Sequence, residues 1–196
     1  MRPSPSLYFR SLLSCSFGSF LLLSAAVLAQ SVAPQAPVEP RVTRAVDDAQ
    51  LTTLRGNTHP LALARFDRGA ALPTMPLERM LLVLKRSPEQ DSALITLLDQ
   101  QQDKSSPNYH KWLKPEEFGK RFGPADADMQ VVTAWLQTHG FQVNNVSQGR
   151  NVIEFSGTAS MVQEAFHTEV HRYLVEGVPH WANARDPQIP NALSPV

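Results

Sequence analysis

The chain has 196 residues, 42% hydrophobic and 18% charged, a composition that belongs to a globular protein and excludes a disordered or collagen-like one. Eighteen Lys and Arg balance eighteen Asp and Glu, so the basic footprint that a phosphate backbone demands is missing and nucleic acid is not an expected partner. The single cysteine, Cys15, excludes a disulfide framework and a thiolate metal site.

Arg2 and Arg10 precede an apolar run from Leu12 to Ala29 that ends Val27-Leu28-Ala29, the pattern of a secretory signal cleaved after Ala29. Residues 1–29 are therefore read as a signal peptide and the product as exported, extracellular or periplasmic. Cleavage removes both early arginines and leaves 16 basic side chains against 18 acidic ones. Two other readings stay open behind this one. The run approaches the ~20 residues of a spanning helix, although Ser14, Ser16, Gly18 and Ser19 dilute it, so an uncleaved segment would act as a membrane anchor. Leu12-Leu13-Ser14-Cys15 loosely matches a lipoprotein signal, but the apolar run continues past Cys15.

Residues 30–76 read as a proline-rich extended leader, with Pro34, Pro37 and Pro40 close together and no sustained helical stripe. Within it, Leu51 to Pro60 is less linker-like and is expected to pack on the domain C-terminal to it. The pattern changes at Leu77. Arg79 to Arg86 holds Met80, Leu81, Leu82, Val83 and Leu84, a short apolar run that fits a strand. Ser87-Pro88-Glu89-Gln90 is a capping box with proline in the first turn, and Leu94, Leu97 and Leu98 mark one face of the helix it opens. Ser105 to Phe122 is irregular until a short helix over 116–122, which Gly123-Pro124 breaks. A longer helix runs from Ala125 to His139, with an acidic start at Asp126 and Asp128, Met129, Val132 and Leu136 on one face, and Gly140 as the left-handed stop. Phe141 and Val143 pair with Val152-Ile153-Glu154-Phe155 as a hairpin about Gln148-Gly149. Gly157-Thr158 opens another short helix, and Thr168 to Val175 is the last strand. The order predicts an α+β fold, a ferredoxin-like split βαβ antiparallel sandwich with an extra helix, preceded by the extended leader.

Ser106-Pro107-Asn108-Tyr109-His110-Lys111-Trp112-Leu113, Pro115-Glu116-Glu117-Phe118, Phe122-Gly123-Pro124, Trp135-Leu136, Gly140-Phe141, Phe155-Ser156-Gly157-Thr158, Ala165-Phe166-His167-Thr168 and His180-Trp181-Ala182-Asn183, with Asp186-Pro187 and Ile189-Pro190, succeed one another in order. Together they resemble the pro-kumamolisin type activation domain of the sedolisin (serine-carboxyl) peptidases. The resemblance assigns residues 77–196 to a sedolisin-type propeptide domain, with the catalytic domain absent from this chain. It implies a domain that assists the folding of a secreted, acid-acting peptidase, inhibits it, and is cut off at low pH. The implied partner is a sedolisin-type catalytic domain, in cis or in trans. The family's catalytic domain usually binds calcium, and no cofactor is expected in this chain. Two readings stand beside this one: a stand-alone inhibitor or folding helper acting in trans, and a secreted ferredoxin-like binding module without a peptidase partner.

This chain is not expected to be an enzyme. The family's catalysis uses a serine in an SGTS-type motif and a Glu and Asp four residues apart, a spacing that places two carboxylates on one helix face. No Glu here is followed four residues later by Asp, and in Ser156-Gly157-Thr158-Ala159 the reactive position is Ala159, with Ser160 one place late. His167 and His171 have the i, i+4 spacing of a metal pair only if helical, and a helix end running into a strand separates them. Trp135 is expected in the core, whereas Trp112, His180, Trp181, Pro187 and Pro190 are the candidate partner contacts, the tail from Asp186 to Val196 lying extended along a cleft. His110, His167, His171 and His180 are the candidate pH sensors, on the expectation that a buried or interfacial imidazole forced to gain a proton weakens the complex as pH falls.

Overall fold

The structure is a computed structural model and describes residues 37–196; the signal segment and Cys15 lie outside the described residues. Among the described residues eight strands and four helices occur in chain order: β1 (Leu51–Thr53), β2 (Asp67–Ala70), β3 (Pro76–Val83), α1 (Pro88–Gln102), α2 (Pro115–Phe122), α3 (Asp126–Thr138), β4 (Gln142–Val146), β5 (Val152–Thr158), α4 (Ala159–Phe166), β6 (Val170–Val175), β7 (Val178–Asn183) and β8 (Gln188–Pro190). Short 3-10 turns at Ala64–Phe66 and Asn191–Leu193 complete the chain.

Local sequence explains the helix ends. Ser87 Oγ accepts from the Gln90 amide at 3.2 Å while Gln90 Oε1 accepts from the Ser87 amide at 3.0 Å, the reciprocal capping box that starts α1. Pro115 opens α2, and the Glu117 carboxylate reaches back to the Lys114 amide at 3.0 Å. Beyond α3, Gly140 takes φ +81°, a backbone region that disfavours any side chain. Thr158 caps α4 by accepting from the Met161 amide.

The split βαβ order is present, with antiparallel strands in the order β3-β5-β4. Along β3 the side chains alternate: Leu77, Met80 and Leu82 pack on the core, and Leu81 and Val83 point away from it. α3 and α4 cover the inner face with Met129, Val132, Trp135, Leu136, Val162, Ala165 and Phe166. Phe141, Phe155, Phe166 and Trp135 meet there at centroid distances of 5.2 to 6.0 Å, mostly tilted or edge to face. α1 and α2 stand outside this core as a pair, burying Leu97 and Phe122.

The last strand of the split unit departs from a four-stranded ferredoxin-like sheet. β6 lies between β2 and β7 in a sheet of its own, and Ala71, on the way into β3, donates to the Val170 carbonyl at 2.8 Å. A strand has two hydrogen-bonding edges, and β2 and β7 take both of those on β6. β3 is thereby left at the edge of its sheet.

Residues 37–76 do not form a separate arm. The Asp128 carboxylate, 1% exposed in the first turn of α3, accepts from the Arg41 amide at 3.0 Å on both oxygens and from the Val42 amide at 2.9 Å. The Arg41 guanidinium donates to the Pro195 and Lys85 carbonyls, both at 2.6 Å. Trp135 Nε1 donates to Asp48 at 2.9 Å, and β1 pairs antiparallel with β8.

Two substitutions test this packing. Asp128→Ala removes a buried charged acceptor shared by two amides and is expected to lower the unfolding free energy by about 2 to 4 kcal/mol in urea denaturation. Gly119, on α2, abuts the β4–β5 turn so closely that a Cβ would overlap the Gln148 carbonyl oxygen and lie 2.9 Å from Arg150 Cγ. Gly119→Ala is expected to cost about 2 kcal/mol or more by forcing backbone apart, whereas Gly56→Ala, with no atom within 4 Å but φ +79°, loses only about 1 kcal/mol.

Candidate functional site

The segment that imitates a nucleophile motif is taken up by helix capping. Thr158 Oγ1 meets the Met161 amide and lies 3.0 Å from Ser160 Oγ, and Ser156 Oγ bonds Asn144 Oδ1 at 3.1 Å. Among the described residues no group of three or more His, Cys, Asp or Glu side chains is gathered to hold a metal ion.

The predicted contact residues fall into separate places. Trp112 is 60% exposed, and His110 stacks between it and Tyr109 at centroid distances of 5.8 and 3.8 Å. This ladder is fixed to the end of α1, since the His110 amide donates to the Gln101 carbonyl and Gln101 Nε2 to that of Lys111. His180 and Trp181 sit on β7 instead, Trp181 being 50% exposed. They border a cleft of about 730 Å3 whose other wall is the strap from Gly56 to Ala62, with Tyr173 and Val175 from β6 at its side. Asp186 anchors the strap by accepting from the Gly56 and Asn57 amides and the Thr58 hydroxyl at 2.9 to 3.0 Å. The Thr58 hydroxyl, then the Gly56 amide, hold the Asp186 carboxyl below the ordinary aspartate value.

The tail is not an extended arm. Ile189, Pro190, Ala192, Leu193 and Val196 are buried, and β8 is paired with β1. Pro190 is thus occupied by the domain's own packing, and Pro187 is half-buried beside it with its carbonyl accepting from the Leu54 amide at 2.8 Å. The proline spacing that suggests an extended chain is met by a strand inside the domain.

The histidines separate too. His167 ends α4 in the left-handed region with φ 51°, and its carbonyl accepts from Arg185 Nε. His171 belongs to β6, its Nδ1 2.8 Å from Asp67 Oδ2 and its Nε2 3.1 Å from Glu169 Oε2. Burial pushes the His171 pKa down, but the hydrogen bonds and charges of Glu169 and Asp67 outweigh it and hold the value above that of an ordinary histidine. The Gly69 amide, followed by His171, holds Asp67 low in turn. A proton gained at His171 is therefore favourable to the folded domain. Sequence reasoning missed Asp67 and Glu169; the one available signal was Glu169 two residues before His171, on the same face of a strand.

Two large apolar side chains stand exposed on the outer face of β3-β5-β4. Leu81 and Val83 are 58% and 68% exposed, Val83 opposite Val152 and Leu81 opposite Glu154, which pairs with Arg79 at 3.1 Å. The alternation that buries Met80 and Leu82 puts these two outside.

No helix among the described residues is long and apolar enough to cross a membrane. Xanthomonalisin from Xanthomonas sp. (strain T-22) is 30% identical over 167 residues, covering 81% of this chain and 20% of its own length. Sedolisin from Pseudomonas sp. (strain 101) is 34% identical over 88 residues, 45% of this chain and 15% of its own. The chain spans a fifth or less of these curated relatives. Residues 66–196, from β2 and the turn before it to Val196, match the model of the pro-kumamolisin activation domain, and the chain belongs to that family.

Proposed function

We propose that this chain is the propeptide of an exported sedolisin-type serine peptidase, which it helps to fold, keeps inactive by docking on it, and leaves by cleavage as the pH falls. The match to the N-terminal part of two such peptidases supports the role. The observation that carries the docking is the outer face of β3-β5-β4, where Leu81 and Val83 stand in water beside the Arg79–Glu154 pair. Exposed large apolar side chains on one face of a folded sheet are what an interface core requires, with charged residues at its rim. The face serves a peptidase on the same chain or on another. Trp112, at the end of α1, and His180 and Trp181, on β7, are further candidate contacts away from this face, whereas the tail is packed into the domain. Export rests on the signal read in residues 1–29, with cleavage after Ala29.

Two experiments test this reading. The purified chain added to a sedolisin-type peptidase is expected to inhibit it, and the Leu81→Asp/Val83→Asp variant to weaken inhibition by about tenfold or more, equivalent to ~1.4 kcal/mol, with an unchanged thermal midpoint. Undiminished inhibition by a folded double variant would remove the sheet face as the docking surface. Acid response arises from the carboxylates: Asp67 and Asp186 have lowered values in the fold, so the stability they contribute is present above the unfolded aspartate value and is lost as pH falls through their folded values. Asp186→Asn is expected to lower stability at neutral pH and to make the acid limb of a stability-against-pH curve shallower; an unaltered limb would exclude the strap anchor from acid unfolding.

A further inference from the structure

We propose that His171 is a charge lock that fastens β2 to β6 while its ring carries two protons and lets β2 go when it loses one. A neutral imidazole has one N–H and one lone pair. Here both ring nitrogens face carboxylate oxygens, Asp67 at 2.8 Å and Glu169 at 3.1 Å. Only the imidazolium donates to both, and deprotonation sets a lone pair against an anion.

The lock sits where β2 has least else to hold it. β2 pairs with β6 only through Asp67–Tyr173 and Ala70–His171, on either side of a bulge, and it is an edge strand. Glu169 is braced by Gln163 of α4 at 3.2 Å and Asp67 by the Gly69 amide at 2.7 Å, so one ring joins the helix, the strand and the edge. The other groups about the ring do not substitute for its charge. Tyr173, on the same face of β6, is neutral in this range, its pKa raised by burial and by the Asp67 charge. From β7, Ala182 stands opposite His171 and His180 opposite Tyr173. Arg68 bonds the backbone carbonyls of Arg65 and Asp67, and the Arg65 guanidinium lies over Phe66.

The sign is fixed by the two kinds of group. His171 has a raised value in the fold, so its contribution is fully present below the unfolded histidine value and is lost as pH rises through the folded one. Asp67, held low, keeps the lock intact until the pH falls through its own folded value. β2 is therefore held in mild acid and loosened on the alkaline side, with β3 and β5 unaffected. This holds whether or not the domain serves a peptidase.

The test is an NMR titration of the imidazole nitrogens in the full chain from about pH 5 to about pH 9, with amide exchange corrected for intrinsic rates. The His171 midpoint is expected above the ordinary ~6.5. Protection of the Ala71 amide, bonded to Val170, is expected to fall as His171 titrates, while that of Leu84, bonded to Asn151, does not. Glu169→Gln, at a surface position, is expected to bring the midpoint down, and His171→Gln to abolish the pH dependence at Ala71. A His171 midpoint at or below ~6.5, or an Ala71 profile that is unchanged in Glu169→Gln, overturns the lock; the second variant decides the matter should His171→Gln fail to fold.

Discussion

A buried carboxylate at the start of a helix holds this domain's distant parts together. Asp128 is desolvated, and a desolvated charge is tolerable only where fixed donors replace water. The Arg41 and Val42 amides of the leader are such donors, and the positive end of the α3 dipole adds to them. Once those two amides are fixed, the Arg41 side chain is delivered to the Lys85 and Pro195 carbonyls. Leader, tail, the end of β3 and α3 thus converge on one acid and one base. The covering of the core by Val42 and Val46 on one side and Ile189, Leu193 and Val196 on the other depends on that convergence.

The same arrangement determines which surfaces are left open. The tail fills space beside the core as β8 and a 3-10 turn, and β6 is held between β2 and β7. β3 therefore has one unpaired edge and one uncovered face. Unpaired edges and exposed apolar faces are liabilities in a protein that works alone. Their presence on a chain of this family is the physical reason to read the outer face of β3-β5-β4 as the contact with a peptidase rather than as an accident of a small fold. The strap from Gly56 to Ala62 has the opposite character, since Asp186 satisfies three of its donors from within the domain.

What the sequence made legible was local. The Ser87 capping box, Gly140 and the alternation of Phe141, Val143, Ile153 and Phe155 each act within a few residues, and the helices and the hairpin stand where these signals put them. The unread features join residues far apart in the chain: Arg41 and Asp128 are separated by 87 positions, Asp67 and His171 by 104, and Arg41 and Pro195 by 154. Periodicity and capping carry no information at such distances. The tail shows the point in one element. Pro187 and Pro190 dictate extended backbone, which is what β8 has, but whether extended chain lies in a partner's cleft or against Leu51 to Thr53 is decided by β1, itself three residues long in a proline-rich stretch.

Acid acts on this domain through two sets of groups with opposite signs. Lowering the pH from neutrality first completes the proton inventory of His171, whose two carboxylate neighbours make the imidazolium the better species. Continuing downward then removes charge from carboxylates that the fold holds low, Asp67 and Asp186 among them. A release driven by unfolding of the whole domain would have to wait for the second set, because the first works against it. Release in milder acid would have to act at the proposed docking surface, where Arg79 and Glu154 flank Leu81, and would separate a still folded domain from a partner bound there. Under the proposed cleavage, a domain detached folded would present intact helices and sheets to a protease and an unfolded one the whole chain, so the order in which the two sets of groups respond would decide which segments are cut first.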